Sequence, residues 1–147
     1  MKTTSLVTFC IAAVSAFDSD RYSFTATYDS ATSEIVMVTT QPDNTWFGIL
    51  LGSSKMRGNN NDGTEAIYFI ANGDQSTAKN AWSSSYQAPT INNNEQTVSS
   101  TITSQTSTIT LTTRRPIDTN LGQQFVFPLD IAIDMGWAGN SESSNVQ

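Results

Sequence analysis

Phe125-Val126-Phe127-Pro128-Leu129-Asp130-Ile131-Ala132-Ile133-Asp134-Met135-Gly136-Trp137 decides how the chain is read. Every odd position is apolar, and the even positions include Pro128, Asp130, Asp134 and Gly136. Only the strand period of two sends such a series to one face. The stretch therefore predicts a strand with the odd-numbered residues buried and Asp130 and Asp134 turned outward. Pro128 lacks a backbone N–H and suggests an edge position or a bulge partway along.

Working towards the N-terminus, the same period recurs. Residues 22–28 alternate cleanly, 29–33 form a polar turn, and 34–40 return as the second arm of a hairpin. Pro42 suits the first central position of a turn over 41–44. Residues 45–52 and 64–71 are apolar at both parities, as in strands covered on both sides. A short strand is expected over 81–86. Residues 97–103 and 106–113 are Ser/Thr-rich, with Val98, Ile102, Ile109 and Leu111 at even spacing, and read as a hairpin with a solvated outer face. No amphipathic helix is evident. About eight to nine short strands with turns between them predict an all-β sandwich or barrel.

The start of the chain reads as a secretory signal over residues 1–16. Lys2 supplies the positive end, 6–14 the short apolar run, and Val14-Ser15-Ala16 the small-residue cleavage site. The apolar run is too short to cross a bilayer. A single domain over 17–140 and a polar tail over 141–147 complete the expected organisation. The only cysteine, Cys10, falls in the signal, so the mature protein would lack thiols, and no Asn-x-Ser/Thr sequon occurs. The chain has 13 acidic and 7 basic residues. Without Lys2, six bases face 13 acids, a balance of −7. Such a surface suits neither nucleic acid nor an anionic membrane.

Catalytic arrangements are hard to build. No histidine occurs in the 147 residues, which excludes Ser-His-Asp and Cys-His sites and His-ligated metals. Asp130 and Asp134 would lie roughly 13 Å apart along a strand. That fits neither carboxylate spacing used in glycoside hydrolysis. Asn59-Asn60-Asn61-Asp62-Gly63 is oxygen-rich, but EF-hand spacing would put Gly58 and Phe69 in ligand slots, so it reads as a loop. The protein is expected not to be an enzyme and to bind no metal.

Thr110-Leu111-Thr112-Thr113-Arg114-Arg115-Pro116-Ile117-Asp118-Thr119, with the later Trp137-Ala138-Gly139-Asn140, resembles the DOMON family. Its members carry a strand ending in Arg-Pro-Leu-x-Thr and a later one ending near Trp-Ala-x-Gly; here Gly139 stands one residue early. The resemblance covers residues 22–139 and implies an extracellular two-sheet antiparallel β-sandwich that binds haem or sugars. It implies a structural role for Arg115, satisfying carbonyls or an acidic residue, and a turn role for Asp118. In haem-binding members a methionine in a sequence like Gly-x-x-x-x-Met ligates the iron. Gly52-Ser53-Ser54-Lys55-Met56 is similar, but the partner histidine after the Trp-Ala segment is missing. No cofactor is therefore expected, with haem b as the second reading.

The resulting expectation is a secreted, free-standing, non-catalytic module for a glycan or small-molecule ligand. Trp46, Met56, Trp82 and Tyr86 are the candidate binding residues, with Asn and Lys donors beside them. A protein partner, or self-assembly through an exposed sheet edge into an extracellular polymer or surface layer, is the structural alternative.

Overall fold

The computed structural model describes residues 17–18, 21–55, 58, 60–85, 89–93, 95–122, 124–129, 133 and 135–139. The signal and tail assignments, Cys10, Asn59, Asp130 and Asp134 lie outside the described residues. No helix occurs among those that are described.

Two antiparallel sheets pack face to face. The first takes β1 (Phe17–Asp18), β2 (Ser23–Asp29), β3 (Glu34–Pro42), β8 (Ser99–Gln105) and β9 (Thr108–Pro116) in the order β1-β2-β3-β9-β8. The second takes β4 (Thr45–Leu51), β5 (Thr64–Ala71), β6 (Thr77–Ser83), β7 (Thr90–Ile91) and β10 (Met135–Gly139) in the order β10-β4-β5-β6-β7. The core between them holds Phe24, Ile35, Met37, Phe47, Ile67, Phe69, Ile109 and Leu111. Strict alternation along β3 and β9 places those residues inward and leaves the intervening ones half-buried. β4 and β5 are buried at nearly every position, as their two-sided apolar pattern predicts. Positive φ at Asn44 closes the turn between β3 and β4, which falls on 43–44 because β3 continues through Pro42.

One strand departs from its expectation. Among the described residues of the long alternating stretch, strand begins only at Met135, in β10, paired with β4 from Met135↔Leu51 to Gly139↔Phe47. Phe125 to Pro128 is irregular backbone. Phe127 is buried and Phe125, Ile133 and Met135 pack on the core, but Trp137 is 54% exposed. The reason lies in sheet order: β10 is outermost in its sheet, so Trp137 reaches the rim and touches Phe47 at 6.1 Å with one side in solvent. The strand expected over 81–86 is shifted to Thr77–Ser83.

Candidate functional site

Arg115 lies on the inward face of β9 and is fully buried. It crosses to the other sheet. Its Nε donates to Glu65 Oε1 at 3.1 Å and its Nη2 to Glu65 Oε2 at 2.7 Å, a bidentate ion pair between β9 and β5. Of its other protons, one on Nη1 goes to the carbonyl of Pro116 at 2.8 Å and one on Nη2 to that of Phe125 at 2.6 Å. Phe127 lies under the guanidinium, 5.1 Å from its centre. A charge this deep persists only when paired and hydrogen-bonded. Every contact it makes meets that condition.

Glu65 is equally committed. Oε1 also accepts from Asn80 Nδ2 at 2.8 Å, and Oε2 from the Phe125 N–H. Phe125 is thus held at both its N–H and its C=O. Asn80 passes the order onward, since its Oδ1 accepts the N–H groups of Thr97 and Val98 at 2.7 and 3.2 Å. The Gln96 carboxamide mimics a strand partner, taking the Asn80 N–H at 2.8 Å and giving to its C=O at 3.1 Å. Gln124 closes the ring by donating to the Glu95 carbonyl at 2.9 Å and accepting from Thr97 Oγ1 at 2.7 Å.

At this node lies a cleft of about 30 Å³, lined by Glu65, Asn80, Ala81, Trp82, Asn92, Glu95 and Gln124. Trp82 pairs with Glu65 across β5 and β6, so both side chains share the inward face at the sandwich end. Gly63 stands against the indole with φ +93°, and a Cβ there would collide with the ring nitrogen. At the mouth, Asn92 Nδ2 donates to Glu95 Oε2 at 2.8 Å.

Of the candidate residues named from sequence, Trp46 and Trp82 are described, and they lie on opposite faces of their sheet. Trp46 pairs with Ile70 and lies on the outer face of its sheet, stacked on Tyr68 at 4.9 Å and 14°. Trp82 sits on the inner side, five positions away along β5, roughly 16 Å. Met56 and Tyr86 lie outside the described residues. No lysine lines the cleft, because Lys79 pairs with Tyr68 on the outer face and Lys55 is exposed in its loop. Burial pushes the Tyr68 phenol up to about 12. Glu65, Asn80, Asn92, Glu95 and Gln124 were not picked out from sequence. One signal was available: Glu65 is the lone charge in an apolar strand.

A b-type haem needs strong axial donors. The chain has no histidine. Of the described methionines, Met37 is enclosed between the sheets and Met135 is half-buried on β10. The described donors do not fit such a site, and no group of three potential metal ligands occurs among them.

No protein-family model matches the sequence. No curated protein matches it either. Solved structures do. The cytochrome b domain of pyranose dehydrogenase from Coprinopsis cinerea superposes with a TM-score of 0.66 at 20% identity, covering 92% of this chain and 73% of that one. The cytochrome domain of cellobiose dehydrogenase from Myriococcum thermophilum gives 0.59 at 18% identity, covering 84% and 66%. At these identities the likeness establishes the fold.

Proposed function

We propose that this chain is a DOMON-type extracellular module that binds a glycan without transforming it. The observation that carries the reading is the convergence of Trp82 with Asn92, Glu95 and Gln124 on one cleft whose walls are locked by the Arg115–Glu65 pair. An aromatic ring with amide and carboxylate groups suits a sugar: the ring covers C–H bonds and the polar groups take hydroxyls. The cleft volume admits one hydroxyl or hydroxymethyl group, so the rest of the sugar would lie over the rim. Both structural neighbours are domains of enzymes named for sugar substrates, which supports the reading.

The same geometry argues against hydrolysis. Two carboxylates line the cleft, but Glu65 spends its lone pairs on Arg115, Asn80 and Phe125. A glycosidase needs two carboxyl groups that can exchange protons or attack carbon. Only Glu95 is available.

A glycan array probed with residues 17–147 tests the reading. Trp82→Ala should weaken binding by roughly 1–3 kcal/mol, as for a central aromatic anchor. Trp46→Ala should leave it unchanged, because that ring faces away. Loss through Trp46 and not Trp82 would move the site to the outer face. An absorption spectrum of the purified protein distinguishes the haem reading, since a Soret band in protein as isolated would replace this proposal with electron transfer. A second reading, assembly through the sheet rim, is favoured by the exposure of Trp137 on the outermost strand. Sedimentation of the wild type and Trp137→Ser would expose it as a concentration-dependent oligomer that the substitution disperses.

A further inference from the structure

We infer that the Trp82 cleft selects sugars bearing a free primary amine over neutral and acidic ones. The inference rests on the glycan-binding reading above and specifies its ligand. It follows from the charge left in the cleft after the internal pairs are counted. Glu65 is neutralised by Arg115, fully buried beside it. Glu95 is not: one of its oxygens accepts from the neutral Asn92 carboxamide, and no cation among the described residues lines the cleft. No ion pair of Glu95 occurs among the described residues. One net negative charge therefore stands at the mouth, in a chain whose formal charge is already −6. A uronate or sulfated sugar meets repulsion both locally and at long range.

An ammonium group answers each feature. It is small enough for a cleft of about 30 Å³. It donates to the Glu95 carboxylate in a charge-assisted hydrogen bond. A cation over the face of an indole also gains from the ring quadrupole, which a neutral hydroxyl does far less. An acetylated amine loses the charge and with it the ion pair to Glu95. The ligand class is thus a glycan with glucosamine-like units.

The test uses residues 17–147 labelled with nitrogen-15, following the Trp82 indole N–H signal, assigned by its loss in Trp82→Phe. The probes are a β-1,4-linked glucosamine tetramer, its fully N-acetylated counterpart and a tetramer of galacturonate. The amine tetramer should shift the Trp82 signal saturably. The acetylated tetramer should bind at least about tenfold more weakly, and the uronate should not bind. Glu95→Gln keeps an acceptor oxygen but removes its charge, and should weaken the amine tetramer at least about tenfold. Its melting temperature should stay unchanged, since Glu95 is exposed. Equal affinity for the acetylated tetramer, or unchanged affinity in Glu95→Gln, would overturn the amine inference and leave the glycan reading standing. If no saccharide moves the Trp82 signal, both fall.

Discussion

Arg114 and Arg115 are neighbours in sequence with opposite environments. The pleat turns Arg114 outward, where it pairs with Asp29 at 3.1 Å and Glu34 at 3.0 Å in a largely solvated cluster. Its hydrogen bond to Asp29 holds that carboxyl below its ordinary value. Such pairs contribute little, so Arg114→Ala should leave the melting temperature nearly unchanged. Arg115 is turned inward, and Arg115→Ala strands the Glu65 carboxylate without its partner. The expected loss is about 3–5 kcal/mol by denaturant unfolding. Removing both charges, with Arg115→Met and Glu65→Leu, should restore only part of that. The Phe125 N–H and C=O would still be orphaned. Complete recovery would mean the pair contributes nothing beyond cancelling itself. Tyr68 supplies a pH test. Its folded phenol keeps its proton to about 12 against an ordinary value of 10.0. Between those values the unfolded chain binds fewer protons, so stability falls as pH rises. The loss should reach on the order of 2–3 kcal/mol near pH 12. Tyr68→Phe should flatten this slope, and an unchanged slope would place its origin elsewhere.

Among the elements, β5 and β6 decide the cleft. They bring Glu65 opposite Trp82 and Ile67 opposite Asn80, so the node and the indole share one face. Gly63, just ahead of β5, is the hinge of that arrangement. Its φ of +93° and its contact with the indole leave no room for a side chain. Gly63→Ala should destabilise by more than about 1 kcal/mol and displace Trp82. A red-shifted emission relative to wild type, absent in Gly63→Ala/Trp82→Phe, would attribute the change to that ring. An unaltered spectrum would show that the loop absorbs the methyl group. The strand expected over 125–137 shows where periodicity misleads. Irregular backbone held by side chains can still alternate: Phe125 is pinned by Glu65 and Arg115, and Phe127 lies under the guanidinium. Alternation there records which residues the core takes, not hydrogen bonding to a neighbouring strand.

For the whole molecule, export is tested by N-terminal sequencing of secreted protein, which should begin at Phe17. Retention of Met1 would remove the extracellular premise, and with it the glycan setting. The sandwich itself was legible in the chain. Alternation at 22–28, 34–40 and 106–113 and two-sided burial at 45–52 and 64–71 depend on local side-chain period, which a single strand displays by itself. A structural role for Arg115 was also legible, through the Arg-Pro motif. Its partner was not. Glu65 lies 50 positions away, and an isolated carboxylate in an apolar strand does not say which cation it will meet. Trp46 and Trp82 looked equivalent as aromatics near strand ends, until register put one on the outer face and the other on the inner. The sequence by itself determined the sheet faces, the core, the acidic surface and the absence of histidine chemistry in these 147 residues. Only the tertiary structure decided that β9 lies across from β5, that Trp82 rather than Trp46 sits beside carboxylates, and that one of those carboxylates is already spent. Those facts depend on which distant strands stack, a choice made by packing and pairing between sheets that local periodicity does not encode.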